Sequence, residues 1–255
     1  MAPATAAPTL VVRYAAPLMS FGGTGRFNVR PTELDPTPAA IQGMLAAAAG
    51  IPRRVLLPEW IADLELTIRI ERAGRPIKDF HTVNPPDLRA YRHLSDKDRN
   101  KIRTVTLADG GRRIDPVVTE RWYLTDAAFT LFIHDPERRA EQALLEPVWA
   151  YYAGRKGCPL TEPIVIGRTN QGTVDALEAI PTAAGPSDSD ATHPQRRAIT
   201  FTEDPRFDRY EDRDDRLVTT GRHHPQRRWY LTVRPSAVPD TDAVADHLAE
   251  QEQPT

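Results

Sequence analysis

The sequence predicts an α+β fold, with helices on one face of a sheet, and three observations carry that prediction. Apolar, β-branched runs outnumber the two strongly helical stretches. Residues 63–71 alternate strictly: Leu64, Leu66, Ile68 and Ile70 fall on one side and Glu65, Thr67, Arg69 and Glu71 on the other. That is the pattern of a strand with one face in a core and one in water. Finally, the element order is strand, helix, strand, strand, long excursion, strand, helix, which separates the helices by strand pairs.

Each element follows from its residues. TLVVRY at 9–14 is apolar and β-branched enough for a buried strand, ending at Pro17 and the glycine-rich loop SFGGTGRF. Thr37-Pro38 reads as an N-cap with proline in the first helical position; AAIQGMLAAAA continues the helix, and Gly50 and Pro52 end it. Gly74 turns the strand 63–71 into PIKDFHTV. RWYLTDAAFTLFI at 121–133 is a second strong strand, and Asp135-Pro136 caps a helix through ERRAEQALLE, closed by Pro147. This order suits a ferredoxin-like or RRM-like sheet whose other face is free for a ligand. Beyond Pro147, the pieces PIVIG, RAITF, RLVTT and RRWYLTV predict a smaller, mostly β region at 148–235 after a first domain at 9–147. The acidic segment 236–255 reads as a flexible tail.

A chain of 255 residues fits one large domain or a compact one with an appendage. The net charge of −2 does not advertise a polyanionic partner, so any such surface must come from local segregation of charge. The single cysteine, Cys158, excludes an internal disulfide and a cysteine-rich zinc site, and points to the cytoplasm. No basic leader and no run of about 18 apolar residues is present, so no membrane role is expected.

Familiar catalytic patterns are missing. FGGTGRF lacks the spacing of a dinucleotide-binding loop, no G-K-[ST] occurs, and Ser20 is not in a G-x-S-x-G elbow. No cofactor, metal or small-molecule substrate is expected; His223-His224 reads as a solvated pair before a proline. What is present is glycine-flanked cations beside aromatics. The first cluster spans Ser20, Phe21, Gly22, Arg26 and Arg30, where backbone amides could approach phosphates. The second is Tyr152, Gly154, Arg155, Lys156 and Gly157. The third is the excursion after Val83, with Arg89, Arg92 and Arg103; from Lys78 to Arg121 there are ten Lys/Arg against seven Asp/Glu. Together they favour a polyanion.

Ordered blocks now become decisive. LVVRYAAPLMSFGGTGRFNVRPTELDPTPAAIQGMLAAAAGI, DFHTV, TERWYLTDAAFTL and YYAGRKGCPLTEPIVIG resemble, in order and spacing, the blocks of the CasD family of CRISPR proteins. Met19, Phe21 and Ala16 stand where that family has glutamine, tryptophan and glycine. The resemblance implies a ferredoxin-like domain with a long β-hairpin "thumb" at 84–120. It also implies a non-catalytic subunit of a type I-E Cascade complex that grips the 5′ handle of the crRNA and contacts the backbone and large subunits. Target DNA is then met only indirectly, through pairing with the guide. On this reading Arg26, Arg30, Arg155 and Lys156 meet phosphates, Arg121 reaches a base edge unless it pairs with Glu120 or Asp126, and Tyr152 and Phe21 are stacking candidates. A rival of another class is a metal-independent endoribonuclease using His81, Tyr14 and Lys78. A stand-alone RRM-type binder lacks the RNP1 pattern.

Overall fold

The computed structural model describes residues 9–23, 25, 28–83, 93–99, 104–106, 108, 110, 112–114, 116–161, 163–183, 196–201, 205–207, 209–216, 223–233 and 237–238. β1 (Thr9–Met19) outruns the expected 9–14 and keeps its register across Pro17: Ala16 faces Ala127 and Leu18 faces Thr125, which sets Pro17 opposite Asp126, whose φ of +54 interrupts the regular ladder. A missing N–H is tolerated at such a place. β2 (Phe21–Gly22) pairs with β4 (Thr32–Glu33), and β3 (Val29–Arg30) between them joins the main sheet. α1 (Pro38–Ala48) begins and ends where its signals place it: the Thr37 hydroxyl accepts from the Ala40 amide at 3.1 Å, and Gly50 takes φ +70.

α2 (Glu59–Ala62), β5 (Leu66–Arg72) and β6 (Arg75–Val83) follow, with Gly74 turning at φ +73. Within the excursion lie α3 (Asp96–Arg99) and the antiparallel pair β7 (Thr104–Thr106) and β8 (Arg112–Ile114). β9 (Val117–His134) is 18 residues long. α4 (Arg139–Leu145) is capped by the Asp135 carboxylate, which accepts from the amides of Ala140 and Glu141, each at 3.1 Å. β10 (Val165–Thr169), α5 (Ala176–Ala179), β11 (Thr182–Ala183), β12 (Arg196–Thr200), β13 (Arg209–Arg216), β14 (His223–Val233) and β15 (Ala237–Val238) complete the elements.

One large sheet organises these strands, in the order β10-β1-β9-β5-β12-β14-β13, antiparallel along that path. The strands of 148–235 therefore share hydrogen bonds with the first half of the chain: β10 adds to β1, and β12 adds to β5. β15, in the segment expected to be a tail, pairs in parallel with β11. β9 is long enough to serve twice. Its second half pairs with β1 and β5, while its first half leaves them and forms a ribbon with β6, with β3 alongside in parallel.

The core lies on both faces of the sheet. Under α1, Leu10, Val12, Tyr14, Leu66, Ile68, Phe129 and Leu131 pack with Ile41, Met44 and Leu45. The alternate residues Val11 and Phe132 pack on the other side with Ala176, Leu177, Ile180, Ala198 and Phe207. Two expectations are corrected here. The face opposite the helices is not free for a ligand, since the segment 172–181 covers it. Nor is β5 half-exposed: Thr67 and Arg69 are buried, and the Arg69 guanidinium donates to the carbonyls of Leu177 (2.6 Å), Ile180 (2.5 Å) and Pro181 (3.0 Å) and to Glu71 (2.7 Å). Arg168 ties β10 to α4 in the same manner, through Glu141 Oε2 at 2.9 Å and the Asp135 backbone.

Candidate nucleic-acid interface

Three blocks far apart in the sequence meet at the end of β1. The chain leaves β1 at Ser20, whose amide donates to the Ala153 carbonyl at 3.0 Å and whose hydroxyl donates to the Trp122 carbonyl at 3.2 Å. Residues 153–158 form a tight loop: Ala153 N–H donates to the Cys158 carbonyl and Cys158 N–H to the Arg155 carbonyl. Gly154 stands at φ +91 with its Cα against the Ser20 carbonyl, so close that a Cβ would lie 1.8 Å from that oxygen. Only glycine fits there. β3 then lays Val29 and Arg30 beside Glu120 and Arg121.

Arg155 joins all three. Its guanidinium donates to the carbonyls of Trp122 (3.3 Å) and Arg30 (3.2 Å) and lies 4.7 Å from the Tyr123 ring centre. It is thus engaged in holding the junction, whereas Lys156 beside it is exposed. Gly157 and Gly22 border open space, Arg30 is exposed, and Tyr152 is half-buried. Arg121 is half-buried with its Nε shielded and without a hydrogen bond. Neither expected partner holds it, because Glu120 pairs with Lys78 at 3.6 Å and Asp126 with Arg72 at 2.8 Å. Arg26, Arg89, Arg92 and Arg103 lie outside the described residues.

Two site expectations are corrected. Phe21 is no stacking platform: the short β2–β4 pairing folds it inward, its ring 6.0 Å from Tyr14 and 6.2 Å from Phe129, with no exposed surface. Ser20 is likewise buried, its polar atoms turned to Ala153 and Trp122.

The proposed nuclease group does not converge. Tyr14 is fully buried, and burial pushes its phenol far above the ordinary range, with Cys158 adding to the shift. Tyr14 faces Phe129, whereas His81 faces Thr119. Ten residues of strand between them amount to about 33 Å. His81 and Lys78 also fall on opposite faces of the ribbon, where Lys78 lies against Phe80 (4.6 Å) and Trp122 (5.7 Å). Phe80, 61% exposed, escaped the sequence reading although its place in DFHTV, just before the basic excursion, was the signal.

The mixed α/β fold, with one large antiparallel sheet and few helices, is shared with solved CRISPR proteins. A chain of a solved "CRISPR RNA-guided surveillance complex" superposes with a TM-score of 0.70 at 26% identity, covering 95% of this chain and all of that one. This protein belongs to the family of the CRISPR-associated protein (Cas_Cas5), whose family model matches residues 9–234. The CRISPR system Cascade subunit CasD of Escherichia coli (strain K12) is 26% identical over 242 residues, covering 87% of this chain and 94% of the relative. A second solved structure, "Crystal structure of Cas protein", shares the fold with a TM-score of 0.57 at 23% identity, over 91% of this chain and 98% of the other. Among the described residues no helix is long and apolar enough to cross a membrane.

Proposed function

We propose that this protein is the crRNA-binding subunit of a type I-E Cascade complex, acting in the cytoplasm in antiviral defence. It grips the 5′ handle of the guide without cutting it and links the backbone and large subunits. The observation that carries this reading is the junction itself. Ser20, Trp122 and the 153–158 loop, from three separate blocks of the chain, are welded into one junction edged by Arg30, Lys156 and two open glycines. Cations for phosphates and uncovered backbone for close approach are what a single-stranded terminus requires. The named relatives support the complex.

The ferredoxin-like reading is supported by the central strands. β1, β5, β9 and β10 stand in the order β10-β1-β9-β5, with α1 after the first and α4 after the third. The β6–β9 ribbon, with the excursion at its end, is the counterpart of the thumb.

Affinity purification of the complex tests the role. Small RNAs recovered with it should share one repeat-derived 5′ leader, and precursor RNA incubated with the purified protein alone in EDTA should stay intact. Recovery of random transcripts, or specific scission, would defeat the proposal. The two neighbouring cations should also separate. Lys156→Ala is expected to make the log–log salt dependence of RNA binding shallower by about 0.7 without lowering stability. Arg155→Ala, which strips a charged donor from two carbonyls, should cost about 1.5–3 kcal/mol in urea unfolding.

A further inference from the structure

The ribbon of β6 and β9 has two unlike faces. One carries Asp79, His81, Thr119, Arg121 and Tyr123, and leads to the junction. The other carries Lys78, Phe80, Val118, Glu120 and Trp122. On that face Phe80 is 61% and Val118 50% exposed, and neither belongs to either core cluster. Lys78 stands opposite Trp122 and one pleat from Phe80, so that a single ammonium approaches both rings, at 5.7 and 4.6 Å. Its contact with Glu120, at 3.6 Å, is a long one. The ammonium lies over the Phe80 ring, and the ring's remaining exposed surface is what an unstacked base can stack on, with the cation near enough to meet the nucleotide's phosphate.

In the sequence, residues 84–116, which join the two strands of the ribbon, carry eight Lys/Arg against five Asp and no Glu. A single-stranded nucleic acid uses both an exposed ring and such an excess of cations. Phe80 has no structural task that would explain it, since a ring so exposed stabilises little of the fold.

We propose that Phe80, with Lys78 and Trp122, forms a stacking platform for one splayed base of a single-stranded RNA, on the opposite side of the ribbon from Arg121. The inference rests on the RNA-binding role proposed above, and it adds a second contact independent of the Ser20–Gly154 junction. Because Phe80 contributes aromatic surface and Lys78 charge, their removal has different signatures.

The test uses the full-length protein and a single-stranded RNA of the host repeat's 5′ segment, with 2-aminopurine placed at each position in turn. With the unaltered protein, one position should show quenched fluorescence. Phe80→Ala should weaken binding about 5- to 150-fold and abolish that quenching while leaving the salt slope unchanged; Phe80→Trp should restore both. Lys78→Met should make the slope shallower by about 0.7 and keep the quenching. If the unaltered protein binds no RNA, the role itself fails. If it binds and Phe80→Ala binds equally well, the platform is wrong. Loss of association with other Cascade subunits with unchanged RNA affinity would likewise overturn it and assign the face to a protein.

Discussion

Arg69→Ala is expected to lower the unfolding free energy by about 3–5 kcal/mol, a large share of the 5–15 kcal/mol that holds a typical domain together. The side chain is 1% exposed, and its guanidinium satisfies three carbonyls of the 177–181 turn together with Glu71. Alanine would leave those carbonyls buried without donors. Glu71 would keep the Thr130 hydroxyl, at 2.6 Å, but lose its bond to the Arg69 guanidinium. A buried carboxylate stripped of its cation costs more than the pair contributes, so removing both charges should be milder than removing one. Arg69→Met with Glu71→Leu is therefore expected to recover part of the loss. Urea unfolding of the two variants beside the unaltered protein measures this. A single variant as stable as the parent would mean that the 172–181 cover is not anchored by Arg69.

The same residue marks where the sequence was legible and where it was not. The polarity alternation of 63–71 gave the strand and the correct inner face, since Leu66, Ile68 and Ile70 do pack under α1. It misassigned the outer face because alternation reports polarity, not exposure. An arginine that bonds backbone carbonyls of a distant turn looks, in one dimension, like an arginine in water. α1 was readable to its caps because Thr37, Pro38 and Gly50 act locally, within a turn of the residues they satisfy. The failure at Phe21 has the opposite cause. An aromatic in a glycine loop suggests a platform, but the two-residue pairing of β2 with β4, which turns it onto Tyr14 and Phe129, joins the loop to residues that lie outside its motif, Phe21 to Glu33 and Gly22 to Thr32. Converging blocks were legible only as a set with family-like spacing. Their meeting point, Ser20 against Gly154, is a tertiary contact with no local signature.

Gly154→Ala is the change expected to undo that meeting point. At φ +91 an alanine carries a backbone penalty of about 1–2 kcal/mol, and its methyl group would stand 1.8 Å from the Ser20 oxygen and 2.8 Å from the carbonyl carbon. Neither neighbour is the movable end of a side chain. Relief requires backbone displacement, for which overpacking costs of about 1–3 kcal/mol are typical, so the total comes to roughly 2–5 kcal/mol. The displacement also has a direction. Pushing Ser20 away lengthens its bonds to Ala153 and Trp122, and moving residues 153–158 instead draws Arg155 off Trp122 and Arg30. Either way the edge that carries Lys156 separates from β9, and affinity for handle RNA should fall together with stability. Gly157→Ala is the control, because a methyl group there enters open space, and it should stay within about 0.5 kcal/mol of the parent. Unfolding and RNA titrations on the same two variants decide the matter. If Gly154→Ala unfolds and binds as the parent does, the glycine is a bystander and the three blocks are held together by something other than this contact.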